Sequence, residues 1–463
     1  MRHGPLLRPP PATFTILVPR HERLAVRRPI DREDAMKGLD VRLQGVPRSV
    51  SYRRKVVIIA GSGLASLALA ASAIQLSVPP ASATTPPTHS QQATAIVGIA
   101  RKALTTLHLN SVILRITVNG KPLVTKALGT SIPGVPATTS MHFPNGAVSY
   151  SYLSTLLMEF VDEHKVGLND PIKKWMPDLP EADQVTLKML ANNTSGYPDY
   201  ERNPTFLEEQ YADPFRSWTV NQRLALAFAS PVLYSPGTNW SYAHTNLMVL
   251  GVILAKIGGK PLSTLLSQKV LKPLGLTDTV ADATATIPSP TLRAFSSERR
   301  VALGIPATTP FYEETTSWNS SWGTPPGGAE TSTIYDLTKT AEGVGSGKLL
   351  SKASYQAQTG PNLLGFGQTT AQCPSCHQNV DFYNYGLGII RSGQWLTQQP
   401  LLDGYNADEG YLPSQKIAIA VSVTFAPGAF NGKGSYPNSA DAIFRQIGAY
   451  LVPKAAPPVP PKS

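Results

Sequence analysis

Apolar residues in the stretch FPNGAVSYSYLSTLLMEFVDEHKVGLNDPI, Phe143 to Ile172, recur at three- and four-residue steps: Leu153, Leu156, Leu157, Phe160 and Val161. That period predicts a helix with one buried face. Pro144, Asn145 and Gly146 stand ahead of it as a loop, with Asn145 a candidate cap, so the chain turns into the helix at Ala147. Upstream, a helix running to about Leu107 precedes two strands, 112–118 and 123–128, that flank Asn119-Gly120, a strong hairpin signal. Residues from Gly146 to about Leu350 read as helix and loop. Segments 385–390, 406–412 and 417–425 then read as strands, and 440–451 as a closing amphipathic helix. This order predicts an α/β (α+β) fold, an antiparallel sheet completed by both chain ends, with flanking helices and a helical middle. No internal repeat is present.

Charge changes the picture mainly at the N-terminus. Residues 1–55 hold 13 Lys+Arg against 5 Asp+Glu, whereas 84–463 hold 28 against 25. The body is therefore not a nucleic-acid-binding surface by charge. Arg53, Arg54 and Lys55 precede an uncharged run from Val56 to Leu76, and Ala81-Ser82-Ala83 offers an A-x-A cleavage site. Residues 1–83 thus read as a basic leader and signal peptide, with Met36 the expected start and cleavage expected after Ala83. An uncleaved anchor is the competing reading, because 21 residues can span a bilayer, and it would be the chain's one membrane contact. Residues 84–92 read as a linker, 93–452 as one domain, and the Pro-rich tail 453–463 as extended and unstructured. The expected location is the extracytoplasmic cell envelope.

Five segments in order resemble the serine β-lactamases of the class C type and their relatives, the penicillin-binding D-alanyl-D-alanine carboxypeptidases and esterases. The stretch from Phe143 matches F-x-x-G-S-x-T-K, its apolar helix and its D-D-P-like exit. LKMLANNTSGYPDY, from Leu187 to Tyr200, resembles L-L-x-H-T-S-G-x-x-D-Y. Pro236-Gly237, Tyr242 and the segment from Asn246 to Gly251 resemble the P-G…Y-S-N…L-G segment, and PPGGAETSTIYDL from Pro325 resembles P-A-G-G-x-x-S-T-x-x-D-L. Tyr385-Gly386-Leu387-Gly388 and Gly404-Tyr405-Asn406 match the run into the last strands. The resemblance covers about residues 95–450 and implies the β-lactamase/transpeptidase-like fold.

It also implies a chemistry, in which a serine attacks an amide or ester carbonyl and forms an acyl-enzyme. A lysine one turn on and a tyrosine move the proton, and a Lys- or His-x-Gly strand holds the substrate carboxylate. Here the serine position is Ala147 and the lysine position Tyr150. The strand motif falls on Gln398-Gln399-Pro400, where proline removes an N–H. Tyr242 is the retained member of the set, either an acid/base or a packing tyrosine, and His244 stands at the asparagine position as a pocket-lining polar residue. Gln398 and Gln399 are the other candidate ligand contacts. No S-x-x-K occurs in 84–463. Ser151 is about 6 Å further along the helix, Ser149 faces away, and Ser195 is a turn residue.

Cys373-Pro374-Ser375-Cys376-His377 fits a c-type haem or redox motif, but a disulfide between Cys373 and Cys376 stiffening a loop is the simpler expectation in an exported protein. Two cysteines and one histidine lack a fourth zinc ligand, so neither metal nor cofactor is expected. Trp318 and Trp322 read as pocket walls or ordinary buried aromatics, and Asp403, Asp408 and Glu409 as a solvated turn. The expected protein is a monomeric family member with a disabled centre that binds a peptidoglycan peptide or a small ester or amide. The alternative is an active D-alanyl-D-alanine carboxypeptidase, β-lactamase or esterase with a relocated nucleophile.

Overall fold

The computed structural model describes residues 87–281, 286–319, 323–328, 331–360 and 363–460. The leader, the Met36 start, the Ala83 cleavage point and Trp322 lie outside them. The first helix, α1 (His89–Thr106), is fixed by a capping box in which Thr88 and Gln91 satisfy each other's backbone N–H groups. The expected linker therefore ends earlier than position 92, because a well-capped helix begins at His89.

The main sheet has nine strands. From the N-terminal part come β1 (Leu109–Val118), β2 (Lys121–Ile132) and the short β3 (Val135–Pro136). Two two-stranded sheets lie outside the main one, β4 (His142–Pro144) paired with β7 (Thr331–Thr333) and β5 (Phe295–Ser296) paired with β6 (Glu313–Glu314). The C-terminal part supplies β8 (Asn384–Tyr385), β9 (Ile390–Ser392), β10 (Trp395–Gln398), β11 (Leu401–Leu402), β12 (Tyr405–Leu412) and β13 (Ile417–Phe425). The order is β3-β2-β1-β13-β12-β10-β9-β8, with β11 beside β12, and every pair is antiparallel. Both chain ends complete one sheet, and β1 meets β13 at its centre.

Alternate residues of the central strands enter two cores. Val112, Leu114, Ile116, Ile419, Val421 and Val423 face α1 and the last helix, α10 (Ser439–Leu451). Ile113, Ala407 and Ala420 face α2 (Val148–Asp162), which is surrounded by the helical middle. That middle contains α3 (Leu187–Ala191), α4 (Pro204–Ala212), α5 (Val220–Ala227), α6 (His244–Gly258) and α7 (Leu262–Leu266). It ends with α8 (Ile334–Gly345) and α9 (Lys352–Thr359). Among the described residues no single helix is long and apolar enough to cross a membrane.

Several expectations are corrected. Helix α2 is buried almost all round, from Val148 to Phe160, rather than on one face, because sheet and helices enclose it. Its cap position is Ala147 without a side-chain bond, and both polar atoms of Asn145 are buried and unpaired. The strand expected over 385–390 is a hairpin, β8 and β9, that turns through Gly388 with φ +61°. Asp403, Asp408 and Glu409 form no solvated turn: Asp408 is fully buried and Glu409 is 2% exposed. The last two lie on β12, between two neighbours and covered on both faces. The tail docks instead of extending free: Ala455 O accepts a 2.8 Å bond from Trp395 Nε1, and Pro458 O accepts from Arg445.

Candidate functional site

The loop before α2 is held by one tight approach. Gly146 has φ +47°, and a β-carbon there would meet Pro400 Cβ at 2.6 Å. Only glycine takes this backbone and this contact together without strain. Ala147 follows at the head of α2, half-buried, with a methyl group where a nucleophile would stand. One turn on, Tyr150 is 1% exposed and its hydroxyl donates to Gly323 O at 2.5 Å. The position of the family's lysine is thus filled by a ring.

Tyr150 is packed by the other residues expected at the site. Its ring centroid is 6.4 Å from that of Tyr242 and 6.1 Å from that of His244. Tyr242 meets His244 edge-on at 5.0 Å and Tyr385 at 6.0 Å. Burial pushes the hydroxyls of Tyr150 and Tyr242 well above the ordinary phenol range, and neighbouring phenols add to it. Both phenols therefore stay protonated near neutral pH, and neither is a ready base. Among the described residues no lysine stands beside them to lower either value.

His244 begins α6 and carries the strongest electrostatics of the site. Its Nδ1 lies 3.1 Å from Asp199 Oδ2 and 2.8 Å from Glu201 Oε1. Burial disfavours its charge, yet Glu201 and Asp199 outweigh that and push its pKa up to about 10. Burial in turn pushes Glu201 up to about 7 against the pull of His244. Asp199 Oδ1 also accepts from the backbone N–H groups of His244 and Glu201 at 3.2 and 3.3 Å, so the loop and the helix start are clasped. Asn193, with φ +62°, accepts from Ala243 N and Asn246 Nδ2 through its Oδ1.

The two glutamines diverge. Gln398 is buried on β10 and donates to Gly388 O at 2.7 Å, which ties the strand to the β8–β9 turn. Gln399 accepts from Asn438, the cap of α10, and so is engaged away from the site residues. Pro400 O accepts from Ala407 N and Asn406 Nδ2, the strand edge here lacking its own N–H. Of the three serines weighed from the sequence, none is poised for attack. Ser151 Oγ donates to Val148 O at 2.7 Å, Ser195 Oγ donates to Asn246 Oδ1, and Ser149 is wholly buried.

Cys373 and Cys376 form a disulfide and both are buried. Its loop lies against the segment that leads to Tyr242: Ser375 Oγ is 3.1 Å from Ser241 Oγ, and the His377 ring meets Trp240 edge-on at 4.6 Å. Trp318 is buried, bears Arg299 over its ring at 5.4 Å, and packs as a core aromatic. Asp199 and Tyr385 lie in matched segments but were not expected at the site, and neither was Glu201. Asp199 and Glu201 flank the matched Tyr200, and nothing in their spacing announces that both reach a histidine 43 or more positions away.

A family model described as Beta-lactamase matches residues 96–442. Protein Rv1367c of Mycobacterium tuberculosis is 30% identical over 165 residues, which are 32% of this chain and 40% of that protein. A putative D-alanyl-D-alanine carboxypeptidase of Escherichia coli is 26% identical over 155 residues, 32% of this chain and 35% of its own length. The chain thus spans well under half the length of these curated relatives. Among solved structures, D-amino acid amidase from Ochrobactrum anthropi, complexed with D-phenylalanine, has a TM-score of 0.62 at 22% identity, covering 77% of this chain and 97% of that one. The octameric penicillin-binding protein homologue from Pyrococcus abyssi has a TM-score of 0.58 at 18% identity, covering 78% and 79%. These likenesses show the same β-lactamase/transpeptidase-like fold. With a family model running from α1 into α10, the chain belongs to the β-lactamase family.

Proposed function

We propose that this chain is a non-catalytic member of the family, exported to the cell envelope, whose former catalytic cleft binds a ligand without cleaving it. The observation that carries this is the pair Ala147 and Tyr150. The first supplies no nucleophile, and the second puts a protonated, bonded phenol where the proton-moving amine would be. Loss of the strand motif at Gln398, Gln399 and Pro400 adds to it, because no cation lies there to hold a carboxylate. The basic leader supports export. A peptidoglycan stem peptide or a small amide or ester is the ligand class the family likeness suggests.

Calorimetric titration of the full chain with a D-alanyl-terminated stem peptide, followed by mass analysis of the peptide, tests this. Binding with the peptide recovered intact agrees with it. Enzyme-dependent release of D-alanine would sink it, and would revive a working hydrolase with a nucleophile elsewhere.

A further inference from the structure

The clasp at the start of α6 holds more acceptors than one proton can serve. His244 Nδ1 carries at most one hydrogen. That hydrogen is aligned on Asp199 Oδ2, yet Glu201 Oε1 stands 2.8 Å from the same nitrogen, shut off from solvent and without a hydrogen bond. The two acids and the imidazole lie in a site where the side chains are only 5, 19 and 18% exposed. A buried carboxylate oxygen that must share one donor with a second carboxylate is poorly satisfied. Something with more than one acceptor-binding direction would fit it better than a proton.

The donor spacing suits a metal ion. The three donor atoms, Nδ1 and two carboxylate oxygens, lie within 4.8 Å of one another. Bonds of about 2.0–2.2 Å to nitrogen and carboxylate oxygen place adjacent ligands of a six-coordinate ion about 2.8–3.1 Å apart. The Nδ1–oxygen separations here are 2.8 and 3.1 Å. Two carboxylates neutralise a divalent ion, and the imidazole nitrogen favours a transition metal over Mg2+ or Ca2+, which prefer oxygen alone. Asp199 is already oriented, its other oxygen being held by two backbone N–H groups.

We infer that Asp199, Glu201 and His244 form a binding site for a first-row divalent transition metal ion, with water completing its coordination. Binding replaces the Nδ1 proton, which leaves to solvent. The inference is independent of whether the cleft is catalytic.

The test titrates the chelator-stripped full chain with Mn2+ and, separately, Zn2+, by calorimetry in two buffers of different ionisation enthalpy. The expected result is one ion bound per chain, with net proton release, and at least tenfold weaker binding in both Glu201→Gln and His244→Gln. Thermal melting supplies a second readout: the ion should raise the melting temperature of the wild type and not of either variant. Absence of binding by both ions, or binding that neither substitution weakens, would overturn the assignment. Such binding would belong to other surface histidines.

Discussion

Gly146 and Pro400 touch across the turn that delivers α2: a β-carbon on the glycine would sit 2.6 Å from that of the proline. The family pattern has a glycine at the position of Pro400. Here the proline ring closes on the turn that leads into α2 and leaves no room for a side chain at position 146.

That contact gives a double-mutant prediction. Gly146→Ala should cost at least about 2 kcal/mol, from a left-handed alanine plus a core clash. Pro400→Gly added to it should recover the clash part only. Urea unfolding of the four proteins reads the coupling. Additive effects would mean the two residues do not press on each other.

Tyr150 is predicted to plug the lysine position at the floor of the former cleft. Tyr150→Phe leaves Gly323 O without its donor and should cost about 1–2 kcal/mol. Tyr150→Ala should cost about 3–5 kcal/mol and open a cavity, which added phenol should refill. A melting temperature that rises with phenol in Tyr150→Ala and not in the wild type is the expected result.

Glu409 makes stability fall as pH rises. Burial pushes its pKa up to about 8, and among the described residues no cation pairs with it. The unfolded value is about 4.3. Between the two the folded chain keeps a proton the unfolded chain has lost, so the contribution declines from pH 4.3 to 8 and then levels off. Glu409→Gln should therefore stabilise by a few kcal/mol at pH 8.5 and little at pH 4. Equal effects at both pH values would refute the assignment.

The disulfide is predicted to matter little for global stability and more for its neighbours. It spans a sequence separation of 3, and closing so short a loop contributes about 2 kcal/mol at most. Cys373→Ser/Cys376→Ser should lose no more than that while changing the fluorescence of Trp240, whose ring meets His377.

Much of the fold was legible because it rests on local signals. The 119–120 turn, the alternation over 417–425 and the amphipathic 440–451 each sit within one run of sequence, and each becomes the expected element. The placement of Ala147 at the head of α2, with Tyr150 one turn on, was legible by register. What escaped depends on distant partners. Asp408 and Glu409 look like turn residues until β10, β13 and two helices cover them. The Pro-rich tail shows no core signal of its own, but Pro457 is buried against Gly448. His244 is one histidine in the sequence, and only folding brings Asp199 and Glu201 to it.

The central claim, that acyl transfer has been lost, is tested most directly by intact-mass labelling. The full chain and its Ala147→Ser/Tyr150→Lys variant are each treated with a fluorophosphonate and a fluorescent penicillin. No adduct on the wild type, with labelling restored in the variant, is the predicted result. A stoichiometric adduct on a wild-type serine would contradict the account and identify the working nucleophile.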